Sequence, residues 1–242
     1  MRMRPKRNRL PRLERVSGLF ALDVEGNFAG SPVTEVTVAE AVEGESEAYV
    51  ALKPIAIDVE KSFGRKSPLF LEIGCGKGSF ATAYAKRRPD VNYLALEKVD
   101  DVILLAMERA QREGVENLRF CKADAENLLE LLHGIKVDAM FINFCDPWPK
   151  ARNAKRRLTS PGFLESYKSI LADGAKIFFK TDNRPLFDYS LETFTECGYH
   201  LENVCYDLHA STLDATNIRT EYETTFSAKG FKINYLEASL KK

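Results

Sequence analysis

The chain has no net charge, few histidines, a single tryptophan and no long apolar run. Its 35 Lys and Arg balance 35 Asp and Glu over 242 residues. That argues against an overall basic nucleic-acid binder and leaves local charge to be read separately. No stretch of 18 apolar residues exists, so no membrane span is expected. The N-terminus is basic but lacks the apolar core of a secretion signal, and the expected compartment is cytoplasmic. Cys75, Cys121, Cys145, Cys197 and Cys205 form no C-x-x-C pair, and His133, His200 and His209 are scattered. Neither set has the spacing of a zinc site, and no metal is expected. His209 reads as a hydrogen-bonded structural histidine before a ligand contact. There is no internal repeat and no low-complexity tract.

The charge that is present is unevenly placed. Residues 1–15 carry Arg2, Arg4, Lys6, Arg7, Arg9, Arg12 and Arg15 against a single Glu14, whereas residues 16–52 carry seven acids and no Lys or Arg. The basic arm reads either as a phosphate-binding segment or as a frayed, solvated terminus. Residues 1–66 are read as an N-terminal extension with this basic arm, and residues 67–242 as the main domain. From Ser67 on, short apolar runs alternate with helical periodicity. Strands are predicted at Pro68–Ile73, Val91–Leu96, Leu118–Cys121, Val137–Phe144, Ala175–Phe179, Leu201–Tyr206 and Lys232–Leu236. Helices are predicted at Gly78–Arg88, Val99–Arg112, Ala125–Leu132, Phe163–Leu171 and Leu186–Cys197. That alternation means an α/β fold with a mostly parallel, Rossmann-like sheet covered on both faces.

The first five apolar runs each end at an acid: Glu72, Glu97, Asp124, Asp146 and Asp182. In an open α/β sheet the carboxyl ends of the strands form the ligand crevice, so five carboxylates are expected on one rim. Helix capping is the alternative, and it suits Asp124 better than Glu97. At the first turn, Gly74, Gly76 and Gly78 let the backbone bend sharply and approach a ligand. Their G-x-G-x-G spacing departs from the G-x-G-x-x-G pyrophosphate cradle. Joined to an acid at Glu97, placed to accept ribose hydroxyls, the pattern favours S-adenosylmethionine over NAD. A cationic, phosphate-free ligand also suits a rim of carboxylates. Further on, Lys150, Arg152, Lys155, Arg156 and Arg157 put five cations in eight residues beside that rim, a pattern suited to RNA phosphates. Trp148 reads equally as a base-stacking ring or as core.

Three segments together carry a resemblance. They are Leu71-Glu-Ile-Gly-Cys-Gly-Lys-Gly78, Asp146-Pro-Trp-Pro-Lys150 with the Arg-Asn-Ala-Lys-Arg-Arg-Leu158 that follows, and Thr220-Glu-Tyr-Glu223 with Phe226. The chain resembles bacterial tRNA (guanine-N7-)-methyltransferases, a class I S-adenosylmethionine-dependent family, over about residues 63–238, with an echo in the opening Met-Arg-Met-Arg. The resemblance implies a seven-stranded sheet and contact of Glu72, Glu97, Asp124 and Asp146 with the methyl donor. It implies substrate contact by Lys150, Asp182, Thr220, Glu221, Tyr222 and Glu223, and RNA contact by Arg152, Asn153, Ala154, Lys155, Arg156 and Arg157. The family often has His where this chain has Asn153. Methylation at guanine 46 of the tRNA variable loop is implied too, which requires an exposed base. Asp182 and Glu223 are acceptors suited to the N1–H and N2 amine of guanine, although Asp182 also reads as a helix cap. Asp146, at the strand end nearest the Pro-Trp-Pro loop, is the candidate catalytic residue. The partners expected are tRNA, no membrane, and a second copy in a homodimer. Two rivals are an amino-nitrogen methylase on another nucleic acid or protein, suggested by Asp-Pro-Trp-Pro, and an RNA-binding relative without activity.

Overall fold

Strands buried on both faces need near-continuous apolar runs. In a computed structural model, which describes residues 8–29 and 56–240, those runs become β1 (Leu69–Ile73), β2 (Asn92–Glu97), β3 (Leu118–Lys122), β4 (Val137–Asn143) and β5 (Leu171–Thr181). Two further strands follow, β6 (Tyr199–Cys205) and β7 (Asn234–Leu240). The sheet runs β3-β2-β1-β4-β5-β7-β6. The first five strands are mutually parallel, whereas β7 is inserted antiparallel between β5 and β6. The last strand therefore starts two residues later than the predicted Lys232 and closes the sheet from inside.

The order determines where a ligand can sit. From β1 the chain steps outward to β2 and β3, then crosses back to β4 on the other side of β1. The helices after β1 and β4 thus leave the sheet in opposite directions, and a crevice opens at the carboxyl ends of those two strands. Alternation along each strand sends residues to two cores. Leu71, Ile73, Leu94, Leu96 and Ile142 face one side, and Tyr93, Ala95 and Phe141 the other.

Helices α1 (Arg9–Val16), α2 (Val59–Phe63), α3 (Ser79–Arg87), α4 (Asp100–Arg112), α5 (Leu128–Leu131), α6 (Pro161–Ile170), α7 (Arg184–Glu196) and α8 (Glu221–Ser227) cover the sheet and its edges. The sequence logic is plainest in α4. Asp100 and Asp101 begin it and Arg109 and Arg112 end it, each complementing the helix dipole. Ile103, Leu104, Met107 and Ala110 form its buried stripe. Truncating one of the larger three to Ala should cost about 2–5 kcal/mol. The stretch predicted as one helix over Ala125–Leu132 is instead a 3-10 turn, Ala125–Asn127, leading into α5.

The described part of the N-terminal extension is docked rather than frayed. Leu13 and Val16 are buried. Arg12 makes a two-pronged contact with Glu108 of α4, both bonds 2.6 Å, and Arg9 lies 3.7 Å from Asp100. The chain then runs beside the edge strand, with Phe20 bridged to Phe120 of β3 and Ala21 N donating to Phe120 O. Arg9 and Arg12 thus face acids of α4, not phosphates. Arg2, Arg4, Lys6 and Arg7 lie outside the described residues, as does most of the acidic stretch. Among the described residues no helix is long and apolar enough to cross a membrane, and no group of three or more His, Cys, Asp or Glu could hold a metal ion.

Candidate active site

The glycine turn opens the cleft. After β1, the N–H groups of Gly74 and Cys75 both donate to Leu96 O of β2, at 2.9 and 2.8 Å. Gly76 N donates to Glu97 Oε2 (3.1 Å), while Glu97 Oε1 accepts from Val99 N (3.0 Å). Gly74 and Gly76 have φ of 76° and 57°, and a Cβ added to either would meet no atom within 4 Å. Their backbone therefore faces open space that a ligand can occupy. Gly78 differs from the expectation of cofactor contact. Its added Cβ would lie 2.7 Å from the Ala106 Cβ of α4, so this glycine permits α3 to approach α4.

Two cavities meet at Gly74, Asn143 and Phe144. One, of about 310 Å³, is bordered by Glu97, Asp124, Asp146, Trp148 and Arg156. The other, of about 450 Å³, is bordered by Glu72, Gly76, Lys77, Thr220, Tyr222 and Phe226. Four of the five strand-end acids border these adjoining cavities. Glu97, Asp124 and Asp146 share the first cavity, Glu72 belongs to the second, and Asp182 borders neither.

The environments of these acids differ sharply. Glu72 is 2% exposed. It accepts from Asn143 Nδ2 at 3.0 Å and from the Tyr93 hydroxyl at 3.4 Å. Burial pushes its carboxyl up to about 7, against the opposing pull of Asn143, the Lys180 charge and Tyr93. Asp124 accepts from Glu126 N (3.2 Å) and caps the 3-10 turn, so the capping alternative holds for it while it also borders the cleft. Asp182 is not the cap of α7, since Asn183 accepts from Leu186 N in that role. Asp182 instead accepts from the Tyr222 hydroxyl at 3.2 Å.

The Pro-Trp-Pro loop is braced from within the basic segment. Phe144 and Trp148 both hold positive φ, 54° and 41°, a conformation that side chains rarely adopt. Arg157 donates to Pro147 O and Trp148 O, each at 3.1 Å. The Arg156 guanidinium lies 4.1 Å from the centroid of the Trp148 ring, a cation–π contact. These two arginines therefore hold the loop, and Arg156 does so while remaining exposed. Trp148 is half-buried under Arg156, so it is neither plain core nor an open stacking surface. Lys150, Arg152 and Lys155 are exposed, and Asn153 and Ala154 are half-buried in the 3-10 helix Ala151–Arg156.

The segment leading into α8 shows the largest departure. Thr220 and Glu223 form a capping box at the start of the helix. Glu223 is 0% exposed and accepts from Lys180 Nζ (2.8 Å), Asn217 Nδ2 (2.7 Å) and the Thr220 N–H (3.3 Å). The oxygen that takes the Asn217 bond, Oε1, also lies 2.8 Å from His209 Nε2. Burial raises this carboxyl, but Lys180, His209 and Asn217 outweigh it and hold the group below its ordinary value. With its oxygens so engaged, Glu223 anchors the segment and is not offered to a guanine edge. Glu221 is exposed and pairs with Arg109, and its N–H donates to Ser79 Oγ at 3.2 Å. Tyr222 is 42% exposed, stacks on Phe226 at 4.0 Å and lies 5.0 Å from Phe144. Sequence reading missed Asn143 and Lys180. The signal for Lys180 was a cation directly after the apolar run of β5.

The sheet order with its inserted antiparallel strand, and a glycine turn whose backbone is held by the acid ending the next strand, define a class I S-adenosylmethionine-dependent methyltransferase fold. The solved 16S rRNA methyltransferase KamB shares it with a TM-score of 0.55 at 16% identity, over 74% of this chain and 91% of that one. A family profile described as "Putative methyltransferase" matches residues 66–236. Over 181 residues the chain is 45% identical to the tRNA (guanine-N(7)-)-methyltransferase of Halalkalibacterium halodurans, covering 75% of this chain and 82% of the relative. It is 42% identical over 180 residues to the protein of that name from Brevibacillus brevis, covering 74% and 84%. The chain belongs to the tRNA (guanine-N(7)-)-methyltransferase family.

Proposed function

We propose that this protein transfers a methyl group from S-adenosylmethionine to N7 of a guanine in tRNA. The observation that carries the reading is the pair of cavities meeting at Gly74, one bordered by acids and the other by the Thr220–Tyr222 turn. Relatives of the same name, at 42–45% identity, support it. The residues fit the methyl donor. Glu97 is oriented by two backbone N–H groups and keeps lone pairs for ribose hydroxyls, and Gly74 and Gly76 leave room beside it. When bound, S-adenosylmethionine supplies a methyl group activated by a sulfonium. Asp124 and Asp146 border the same cavity as Glu97 and complete the acidic lining.

Guanine N7 carries a lone pair and no proton, so its attack needs no general base. The chain's task is to hold N7 in line and to tolerate positive charge arriving on the purine. Asp146 borders the cofactor-side cavity next to the braced loop and is assigned that electrostatic role. Tyr222, held to Asp182 and flanked by Phe144 and Phe226, offers an aromatic surface for the base. Exposed Lys150, Arg152 and Lys155 are assigned to RNA phosphates.

The test is incubation of the protein with labelled S-adenosylmethionine and unmodified tRNA, then digestion to nucleosides. Label in 7-methylguanosine supports the reading, and label in an amino-methylated nucleoside replaces it with the rival methylase. Three finer parts belong to the same reading: guanine 46, a cytoplasmic site of action and a homodimer. They are checked by mapping the modified position, by fractionating cells and by sedimentation.

A further inference from the structure

Lys180 stands near the end of β5 and is 3% exposed. Its Nζ donates to Glu223 Oε2 at 2.8 Å, to Ile218 O at 3.0 Å and to Asn217 Oδ1 at 3.0 Å. All three acceptors belong to the segment 217–223, which contains the Thr220–Tyr222 turn, and an ammonium has only three protons to give. The same residue's carbonyl accepts from Phe144 N at 2.8 Å, two positions before Asp146. Its ammonium lies 5.0 Å from the Phe80 ring centroid, beside the glycine turn. One residue, through its side chain and its carbonyl, thus joins the 217–223 segment, the Asp146 loop and the glycine turn.

A buried ion pair is a poor device for stability alone, because an apolar pair of similar volume is often as stable. We infer that Lys180 is a positioning residue for methyl transfer: it fixes the 217–223 segment against the cleft and places a positive charge opposite Glu72. The inference rests on the function proposed above. The charged groups around Lys180 are Glu223 of α8, Asp214 of the 3-10 turn Thr212–Ala215 and Glu72 of β1, with His209 behind Glu223. The titratable groups around Glu72 are Tyr93 of β2, Glu97 at the end of β2, Cys75 of the glycine turn and Lys180 itself. The Lys180 charge pulls the titration of both Glu72 and Glu223 downward. Removing it should leave Glu72 protonated to higher pH, where it no longer complements a cationic methyl donor.

The experiment uses the full chain and its Lys180→Met variant. Calorimetry gives S-adenosylmethionine affinity from pH 6 to 9, and single-turnover methylation is followed at saturating cofactor and tRNA. The variant should be at least tenfold slower, and its affinity profile should move up by about one pH unit. Lys180→Met combined with Glu223→Gln removes both buried charges and should recover melting temperature while recovering neither readout. A double variant with wild-type rate and wild-type pH profile would reduce Lys180 to a charge partner and overturn the inference. If Lys180→Met is unfolded at the assay temperature, Lys180→Gln keeps a donor to Glu223. An unmoved affinity profile in that variant overturns the inference equally. A wild-type chain that binds the cofactor but leaves guanine N7 unmodified would overturn the proposed function instead, and the binding profiles would still decide on Lys180.

Discussion

Replacing Glu72 by Gln keeps the side chain's shape and removes its titration. In the folded chain this carboxyl is pushed up to about 7 from an ordinary 4.5. Below pH 4.5 both the folded and the unfolded chain hold the proton. Between 4.5 and 7 only the folded chain holds it, so folding takes up a proton and stability falls as pH rises. The stabilisation present in full below the unfolded value is lost as pH passes through the folded one. A shift from 4.5 to about 7, at about 1.4 kcal/mol per unit, corresponds to a loss of about 3 kcal/mol. No discount for solvent applies, since Glu72 is 2% exposed. Other carboxyls, such as Glu223 and Asp214, are shifted downward and slope the opposite way. The quantity to follow is therefore the difference between parent and variant. Urea unfolding at half-unit steps from pH 4.5 to 8 should show the parent losing about 3 kcal/mol relative to Glu72→Gln. A difference constant to within about 0.5 kcal/mol would mean that Glu72 is already ionised in the folded chain at pH 5, and the account of its burial would be wrong.

Glu97→Ala should weaken S-adenosylmethionine binding tenfold or more by calorimetry, since a lost hydrogen bond to a charged group costs about 1.5–3 kcal/mol. Replacing Lys150, Arg152 and Lys155 together by Ala should reduce the salt slope of tRNA binding by up to about 2–3 units at unchanged cofactor affinity. Arg156→Ala with Arg157→Ala should act differently, weakening cofactor binding as the Trp148 loop loses its brace; a pure change in salt slope would return these residues to the phosphate. Single-turnover rates at saturating cofactor and tRNA should be nearly flat from about pH 6.5 to 9. Asp146→Asn should lower them without adding a pH dependence, because charge and not proton transfer is lost. A tenfold rise per pH unit in the parent would instead point to a proton removed in the transition state.

The parallel half of the sheet was legible because strands buried on both faces are mostly apolar, and β1, β2 and β4 are so for most of their length. The placement of β7 was not, since nothing local in Asn234–Leu240 distinguishes a neighbour of β5 from a sheet edge. At the site, Glu97 and the glycine turn were readable because their spacing is itself the geometry. Glu223 misled: an acceptor-only acid in that segment reads as suited to a guanine edge, and only the fold brings Lys180, 43 positions earlier, to its oxygen. Arg156 and Arg157 have a bracing role that the sequence did not announce. A dense run of cations suggests phosphates, whereas two of the five turn back onto the loop that precedes them. The docked helix α1 was hidden by its arginines, whose partners lie on a helix roughly ninety residues away, as for Arg12 and Glu108.

The inserted strand gives synthesis an order. β1 to β4 and α3 and α4, which carry the Gly74 turn, Glu97 and Asp124, are neighbours in the sheet as well as early in the chain. β5 and β6 emerge next with a vacant strand position between them, and each exposes an edge until residues 234–240 arrive. Those residues directly follow α8, whose first turn is the segment anchored on Lys180. On the ribosome, the half that receives the methyl donor can assemble first. The half that carries α8 is complete only when the final strand takes its place between β5 and β6. A nascent chain thereby completes the Gly74 turn before it has the segment that Lys180 anchors.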